Sequence, residues 1–135
     1  MPPAIRIKDA AILLGVSDDT VRRWVDGGAL PAVRDEAGRK VIAGDALADF
    51  AVKHASPLPD PVGVASSARN RFVGLVTKVT SDRVMSEVQL QCGPFTVVSL
   101  MSTESVAQLG LEPGVVAVAA VKATTVIVET AGGSS

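Results

Sequence analysis

Apolar positions recur with two different periods along this chain, and the change of period divides it in two. Over residues 8–14, Ala11, Ile12 and Leu14 form a short apolar face that stops at Gly15-Val16-Ser17, which predicts a first helix. Ser17 is placed to cap a second helix over residues 18–26, with Asp18 and Asp19 in the first turn, where the helix dipole favours negative charge. Val21, Trp24 and Val25 fall at i, i+3 and i+4, so they make the buried face and turn Arg22 and Arg23 to solvent. Trp24 reads as a core residue joining the two helices, and Gly27-Gly28 ends the second one. Residues 30–34 and 39–42, on either side of the turn 35–38, predict a hairpin. Asp45 is expected to cap a last helix whose Leu47, Phe50 and Ala51 close a small core.

From residue 72 onward the pattern becomes one of strands and turns rich in Val, Thr and Ser: strands over 72–79, 85–92, 95–101, 115–121 and 125–129, with a short helix over 103–109. Gly93-Pro94 marks a hairpin, and the turn 110–114 ends the short helix. Five short strands suggest a barrel. Residues 115–121 have almost no polar face, so cover on both sides, for instance by a partner chain, is expected. Pro57, Pro59 and Pro61 forbid helix between the two halves and favour an extended spacer. The expected organisation is α+β: a helical domain at 1–53, a Pro-rich linker at 54–65, a five-stranded β-barrel domain at 66–130 and a flexible tail at 131–135.

Composition narrows the chemistry. With 135 residues and 13.8 kDa, two domains of this kind are each near the lower limit of independent stability. Three Phe, one Trp and no Tyr leave no aromatic platform for stacking bases. The formal charge is −1, and residues 1–53 alone hold eight Lys and Arg against eight Asp and Glu, so any nucleic-acid contact must come from a local patch. The single Cys92 excludes an internal disulfide and a Cys-cluster metal or redox site, and reads as a small core residue. His54 stands without other ligands and makes no metal site. No membrane-spanning or signal segment is evident, so a cytoplasmic protein is expected. No nucleophile–base grouping, paired acids or phosphate loop points to an enzyme.

The order of parts in the first half resembles the winged helix-turn-helix of the MerR and excisionase families. The likeness lies in Ile7-Lys8-Asp9-Ala10-Ala11 with Leu14-Gly15-Val16-Ser17, in Thr20-Val21-Arg22-Arg23-Trp24, and in Gly28-Ala29-Leu30-Pro31-Ala32 with Arg34 and Arg39. It implies a DNA reader. Arg22 or Arg23 would reach base edges in the major groove with help from Thr20, and Arg34, Arg39 and Lys40 would hold phosphates from the wing. Because the module is neutral overall, pairing of two copies on one duplex is expected.

The second half resembles the Mop or TOBE domain of molbindins and molybdate-responsive regulators. The motifs are Ser67-Ala68-Arg69-Asn70, Val73-Gly74, the run from Leu109 through Gly110 and Pro113 to Gly114, and Val121-Lys122-Ala123-Thr124-Thr125-Val126. The resemblance implies an OB-like barrel that assembles with its neighbours and binds molybdate or tungstate between subunits. Tetrahedral oxyanions need fixed positive charge and several N–H and O–H donors. Ser67, Ala68 and Arg69 would supply one arm, Ser67 and Arg69 sharing a face if extended, and Lys122 with the Ala123 backbone would supply another. Ser102 and Ser105 match positions where the family places hydroxyl donors. The function expected from both halves is a molybdate-responsive, DNA-binding transcriptional regulator, acting as a homo-oligomer. The alternatives are a molbindin-like store or buffer of molybdate, and an excisionase-type factor that uses its barrel only to oligomerise.

Overall fold

The computed structural model describes residues 3–132 and divides the chain after Pro57 into two units. The part of the expected tail from residue 133 on lies outside the described residues.

The first unit runs β1 (Ala4–Arg6), α1 (Ile7–Leu14), α2 (Asp18–Asp26), β2 (Val33–Arg34), β3 (Lys40–Ala43) and α3 (Gly44–Lys53). β1 is absent from the sequence reading, since three residues are too few to show a period. It pairs antiparallel with β3, Ile5 opposite Ile42, and turns the expected hairpin into a three-stranded sheet of order β1-β3-β2. The strand runs straight into α1, which shifts the inward stripe of that helix. Ile7, Ala10 and Ala11 are buried with Leu14 against them, at i, i+3, i+4 and i+7. Ile12, expected inside, is 70% exposed because it lies off this stripe.

Ser17 caps α2 as its sequence position suggests, accepting from the Thr20 N–H. Val21 is fully buried and Arg22 and Arg23 are exposed. The Trp24 ring packs against the core that α1 contributes to, as expected, and also meets Phe50 with centroids 4.8 Å apart, so it ties α2 to α3 as well. Asp45 is not the cap of α3. That position belongs to Ala43, with no side-chain bond, while the Asp45 carboxylate accepts from the next N–H, that of Ala46. β3 passes into α3 without a loop, and the Gly44 N–H donates instead to the Pro3 carbonyl at 2.6 Å.

The second unit holds β4 (Asn70–Ser81), β5 (Met85–Cys92), β6 (Phe95–Ser102), α4 (Thr103–Leu109), β7 (Val116–Val121) and a 3₁₀ turn at Ala123–Thr125. Its strands form one antiparallel sheet of order β6-β5-β4-β7. A bulge at Thr77 bends β4, its hydroxyl donating to the Gln89 carbonyl. The curled sheet buries Val76, Val88, Leu90 and Cys92, with Met101, Val106, Leu111 and Val115 packed against them.

The fold class is α+β with an OB-like curled sheet, but the sheet has four strands and not five. Residues 126–132 form neither helix nor strand, and Ile127 and Val128 are 85% and 84% exposed. Among the described residues no strand pairs with them, so their β propensity has no partner there. Within the single chain β7 is likewise an edge strand and half-exposed, so the chain itself does not supply the cover expected on both of its sides.

β4 and β5 approach closely at Gly74, where an added Cβ would sit 2.5 Å from the Gln91 carbonyl and 2.6 Å from the Cys92 sulfur. Since one of those atoms is backbone, the strain has no easy outlet. Gly74→Ala is expected to destabilise the second unit by about 1–3 kcal/mol, as overpacked cores do, in chemical unfolding followed by far-UV circular dichroism.

Candidate functional site

Two groups of side chains stand out, one in each unit. In the first unit, α2, the hairpin and the β1–α1 corner enclose a concavity of about 410 Å³. Arg6, Lys8, Arg22, Arg34, Arg39 and Lys40 line it together with one acid, Asp26. Six of the eight cations of residues 1–53 thus meet there with one of the eight acids, so a unit with no net charge is strongly polarised.

Several of these cations are already engaged. Arg22 lies 3.6 Å from Asp19, Lys40 lies 3.5 Å from Asp26, and Arg39 Nε donates to Asp35 at 3.1 Å. Asp35 organises the hairpin turn, accepting also from the Ala37 and Arg39 backbone N–H groups, and the Arg39 N–H bond leads in holding its carboxyl below the ordinary value. Arg34 Nη1 donates to the Gly38 carbonyl at 2.6 Å across the same turn.

Of the residues expected at a DNA surface, Arg22, Arg34, Arg39 and Lys40 share the concavity. Thr20 and Arg23 do not: Arg23 Nη2 donates to the Thr20 hydroxyl at 3.2 Å, which itself bonds Ser17 Oγ at 3.0 Å. Arg6 and Lys8 are additions that sequence reasoning missed. They straddle the start of α1, and only the pairing of β1 with β3 brings them to the hairpin.

In the second unit the register of β4 with β7 decides which residues meet. Asn70 pairs with Val121, and its amide donates to the Val121 carbonyl at 3.2 Å. The next residues outward are Arg69 and Lys122, followed by Ala68 and Ala123, so two arms expected to serve an oxyanion leave the same end of the strand pair. Lys122 is held by its carbonyl, which accepts from both the Thr125 N–H and the Thr125 hydroxyl. Ser67, Arg69, Lys122 and Ala123 are all exposed. Ser67 lies in a bend, where the Ala68 N–H donates to Ser66 Oγ, so the extended alternation expected to align Ser67 with Arg69 does not reach it.

Ser102 and Ser105 lie elsewhere. Ser102 pairs with Met85, and the neighbouring Ser86 pairs with Ser81, at the far end of β4 from Asn70. At roughly 3.3 Å per residue the 12-residue strand separates its two ends by on the order of 35 Å of path. Ser102 caps α4, accepting from the Ser105 N–H, and the two hydroxyls lie 2.8 Å apart. Beside them the buried Ser86 hydroxyl joins Ser81 at 2.7 Å and Thr103 at 2.9 Å, a chain of hydroxyls with no linear signature in the sequence. One copy of the chain does not unite the arginine–lysine group with the serine group.

Two residues past Arg69, Arg71 reaches into the linker, its Nε donating to Asp60 at 2.7 Å and its Nη2 to the Val62 carbonyl at 3.3 Å. From Asp60 the segment read as a spacer is therefore fastened to β4. The Arg71 guanidinium, helped by the Val62 N–H, holds the Asp60 carboxyl below its ordinary value.

Residues 5–54 match the family described as Helix-turn-helix domain, and residues 66–128 match the family described as TOBE domain. The chain is a two-domain binding protein, an excisionase-like helix-turn-helix followed by a TOBE domain, and neither family is one of enzymes. The first match carries nothing particular to MerR regulators. By its second half the chain belongs to the TOBE family.

A molybdate-binding protein from Sporomusa ovata is 30% identical over 50% of this chain and 100% of its own, with a TM-score of 0.48. MopII from Clostridium pasteurianum is 34% identical over 49% of this chain and 100% of its own, with a TM-score of 0.46. The cytoplasmic molybdate-binding protein ModG is 29% identical over 64% of this chain and 72% of its own, with a TM-score of 0.44. No curated protein matches the chain. Among the described residues no helix is long and apolar enough to cross a membrane.

The Asp60–Arg71 clasp has a defined pH dependence. Because the Asp60 carboxyl is depressed when folded, the clasp is intact above the ordinary carboxyl value of 3.8 and opens as pH falls below it through the depressed value. The Arg71 Nε–H resonance in an NMR titration is expected to hold its position down to that value and then move, and Asp60→Asn should remove the transition.

Proposed function

We propose that this protein is a cytoplasmic, molybdate-responsive DNA-binding regulator that takes up molybdate or tungstate through its TOBE domain. The observation that carries the oxyanion reading is the Asn70–Val121 register, which sends Arg69 and Lys122 out from one end of a strand pair. Two cations on adjacent strands with backbone and hydroxyl donors beside them suit a tetrahedral dianion. Sequence identity over the full length of a Sporomusa ovata protein that binds molybdate supports the same ligand, and the cytoplasmic ModG supports the compartment. The ligand set is Ser67, Ala68, Arg69, Lys122 and Ala123, completed by Ser102 and Ser105.

Because the two groups stand at opposite ends of the sheet, a site that uses both takes them from different copies of the chain. Two open sheet edges and the exposed run Val126-Ile127-Val128 favour such self-association, since unpaired strands with apolar side chains seek a partner. The polarised concavity of the first unit supports the DNA reading, with Arg22, Arg34, Arg39 and Lys40 on its wall. Thr20 and Arg23, bonded to each other outside the concavity, serve a separate contact along α2. The anion changes DNA affinity only by favouring one arrangement of the assembly over another. A molybdate buffer is the second reading, favoured by two relatives whose whole length corresponds to about half of this chain.

Calorimetric titration of the full chain with molybdate, tungstate and sulfate tests the ligand. Hydrogen bonds to charged groups contribute about 1.5–3 kcal/mol each, so Arg69→Ala and Lys122→Ala should each raise the molybdate Kd by roughly 10- to 100-fold with the circular dichroism spectrum unchanged. Absence of molybdate binding by the unaltered protein overturns both readings. Binding of molybdate with no effect on duplex binding under any condition leaves the buffer.

A further inference from the structure

The concavity of the first unit contains two kinds of cation. Arg22, Arg39 and Lys40 each stand within salt-bridge distance of a carboxylate, those of Asp19, Asp35 and Asp26. Among the described residues, Arg6, Lys8 and Arg34 have no such partner, and Arg34 bonds only a carbonyl. A phosphate that approaches the first group must compete with a resident acid, whereas the second group offers its charge without breaking an ion pair.

Register brings the backbones of the unpaired cations close together, and all three side chains line the concavity. β3 carries β1 on one edge and β2 on the other, with Arg6 opposite Val41 and Arg34 opposite Lys40, one residue along. At roughly 4.8 Å between strands the Cα atoms of Arg6 and Arg34 are about 10 Å apart. Neighbouring rows of a strand alternate faces, so it is their common lining of the concavity that brings the two guanidinium groups, with Lys8 from the first turn of α1, to one surface. Phosphates of one DNA strand advance by about 3.4 Å each along the helix axis, so the three residues span a short run of one backbone.

Asp26 is the acid in this surface. It lies one turn after Arg22 on α2, holds Lys40 at 3.5 Å and faces the same concavity. A carboxylate so placed repels an arriving phosphate and keeps Lys40 engaged.

We infer that Arg6 and Lys8, at the β1–α1 corner, form with Arg34 the main phosphate anchor of this domain, and that Asp26 acts as an electrostatic brake on the affinity of the same surface for duplex DNA. The inference rests on the DNA-binding reading above and names the residues that carry it. Arg39 and Lys40 then serve chiefly to shape the hairpin until a phosphate displaces their acids.

The test is fluorescence anisotropy of the full chain on a labelled duplex of arbitrary sequence over a series of salt concentrations, because phosphate contacts are independent of sequence. Each lost phosphate contact lowers the slope of log affinity against log salt by about 1, so Arg6→Ala and Lys8→Ala should each lower it by that amount and the pair by about 2. Arg6→Lys should retain the slope. Lys53→Ala, a cation outside the concavity, should leave it unchanged. Asp26→Asn should raise affinity and steepen the slope by about 1 as Lys40 is released, a gain that damage to the fold does not produce. An unaltered slope for the Arg6→Ala, Lys8→Ala pair in a protein that binds duplex overturns the anchor and leaves the DNA-binding reading standing. A loss of affinity in Asp26→Asn overturns the brake. Failure of the unaltered chain to bind any duplex at low salt overturns the inference and the DNA-binding reading together.

Discussion

The second unit depends on the register of one strand. β4 pairs with β5 along one edge and β7 along the other, and the bulge at Thr77 bends it enough to curl the sheet around Val76, Val88 and Leu90. Shift its pairing with β7 by a single residue and every side chain on one strand of the pair changes face. Gly74 makes the register permissible, since no side chain fits where β4 meets Gln91 and Cys92. The same register sets Arg69 next to Lys122 and leaves Ser102 at the far end. The geometry that folds the domain therefore also divides the residues proposed to hold an oxyanion between two places.

In the first unit the organising constraint is electrostatic. A chain segment with equal numbers of acids and bases has no net field, yet the fold gathers most of its bases on one wall and sends most of its acids elsewhere. The separation depends on β1: without its pairing to β3, Arg6 and Lys8 would have no fixed relation to the hairpin. Ion pairs with Asp19, Asp26 and Asp35 temper the positive wall and stiffen the turn that presents it. Exposed pairs of this kind contribute little to stability, so their main effect is on how readily the cations meet an anion.

Much of the fold was legible in the sequence where the signal is local. Ser17 before Asp18 and Asp19 announces the start of α2, Gly27-Gly28 its end, and the bounds of β5 and α4 follow from alternation and from Gly93 and Gly110. Errors arose where a partner decides. Ala4–Arg6 becomes a strand only because β3 is beside it, Ile12 turns outward because α1 begins at Ile7, and residues 125–129 stay unpaired because no strand among the described residues flanks them. The site divides in the same way. Arg69 and Lys122 stood out through their motifs, whereas Arg6, Lys8 and the hydroxyl chain of Ser81, Ser86 and Thr103 are joined only by tertiary pairing.

The distribution of two rare residues has a practical corollary. The only tryptophan sits against Phe50 in the first unit, and the only cysteine is buried under Gly74 in the second, its Sγ donating weakly to the Phe72 carbonyl. Indole emission therefore reports on one unit alone, and a thiol reagent reaches its target only when β4 and β5 part in the other. The natural chain carries a separate reporter for each half, one optical and one chemical, so the opening of either can be timed without introducing a label.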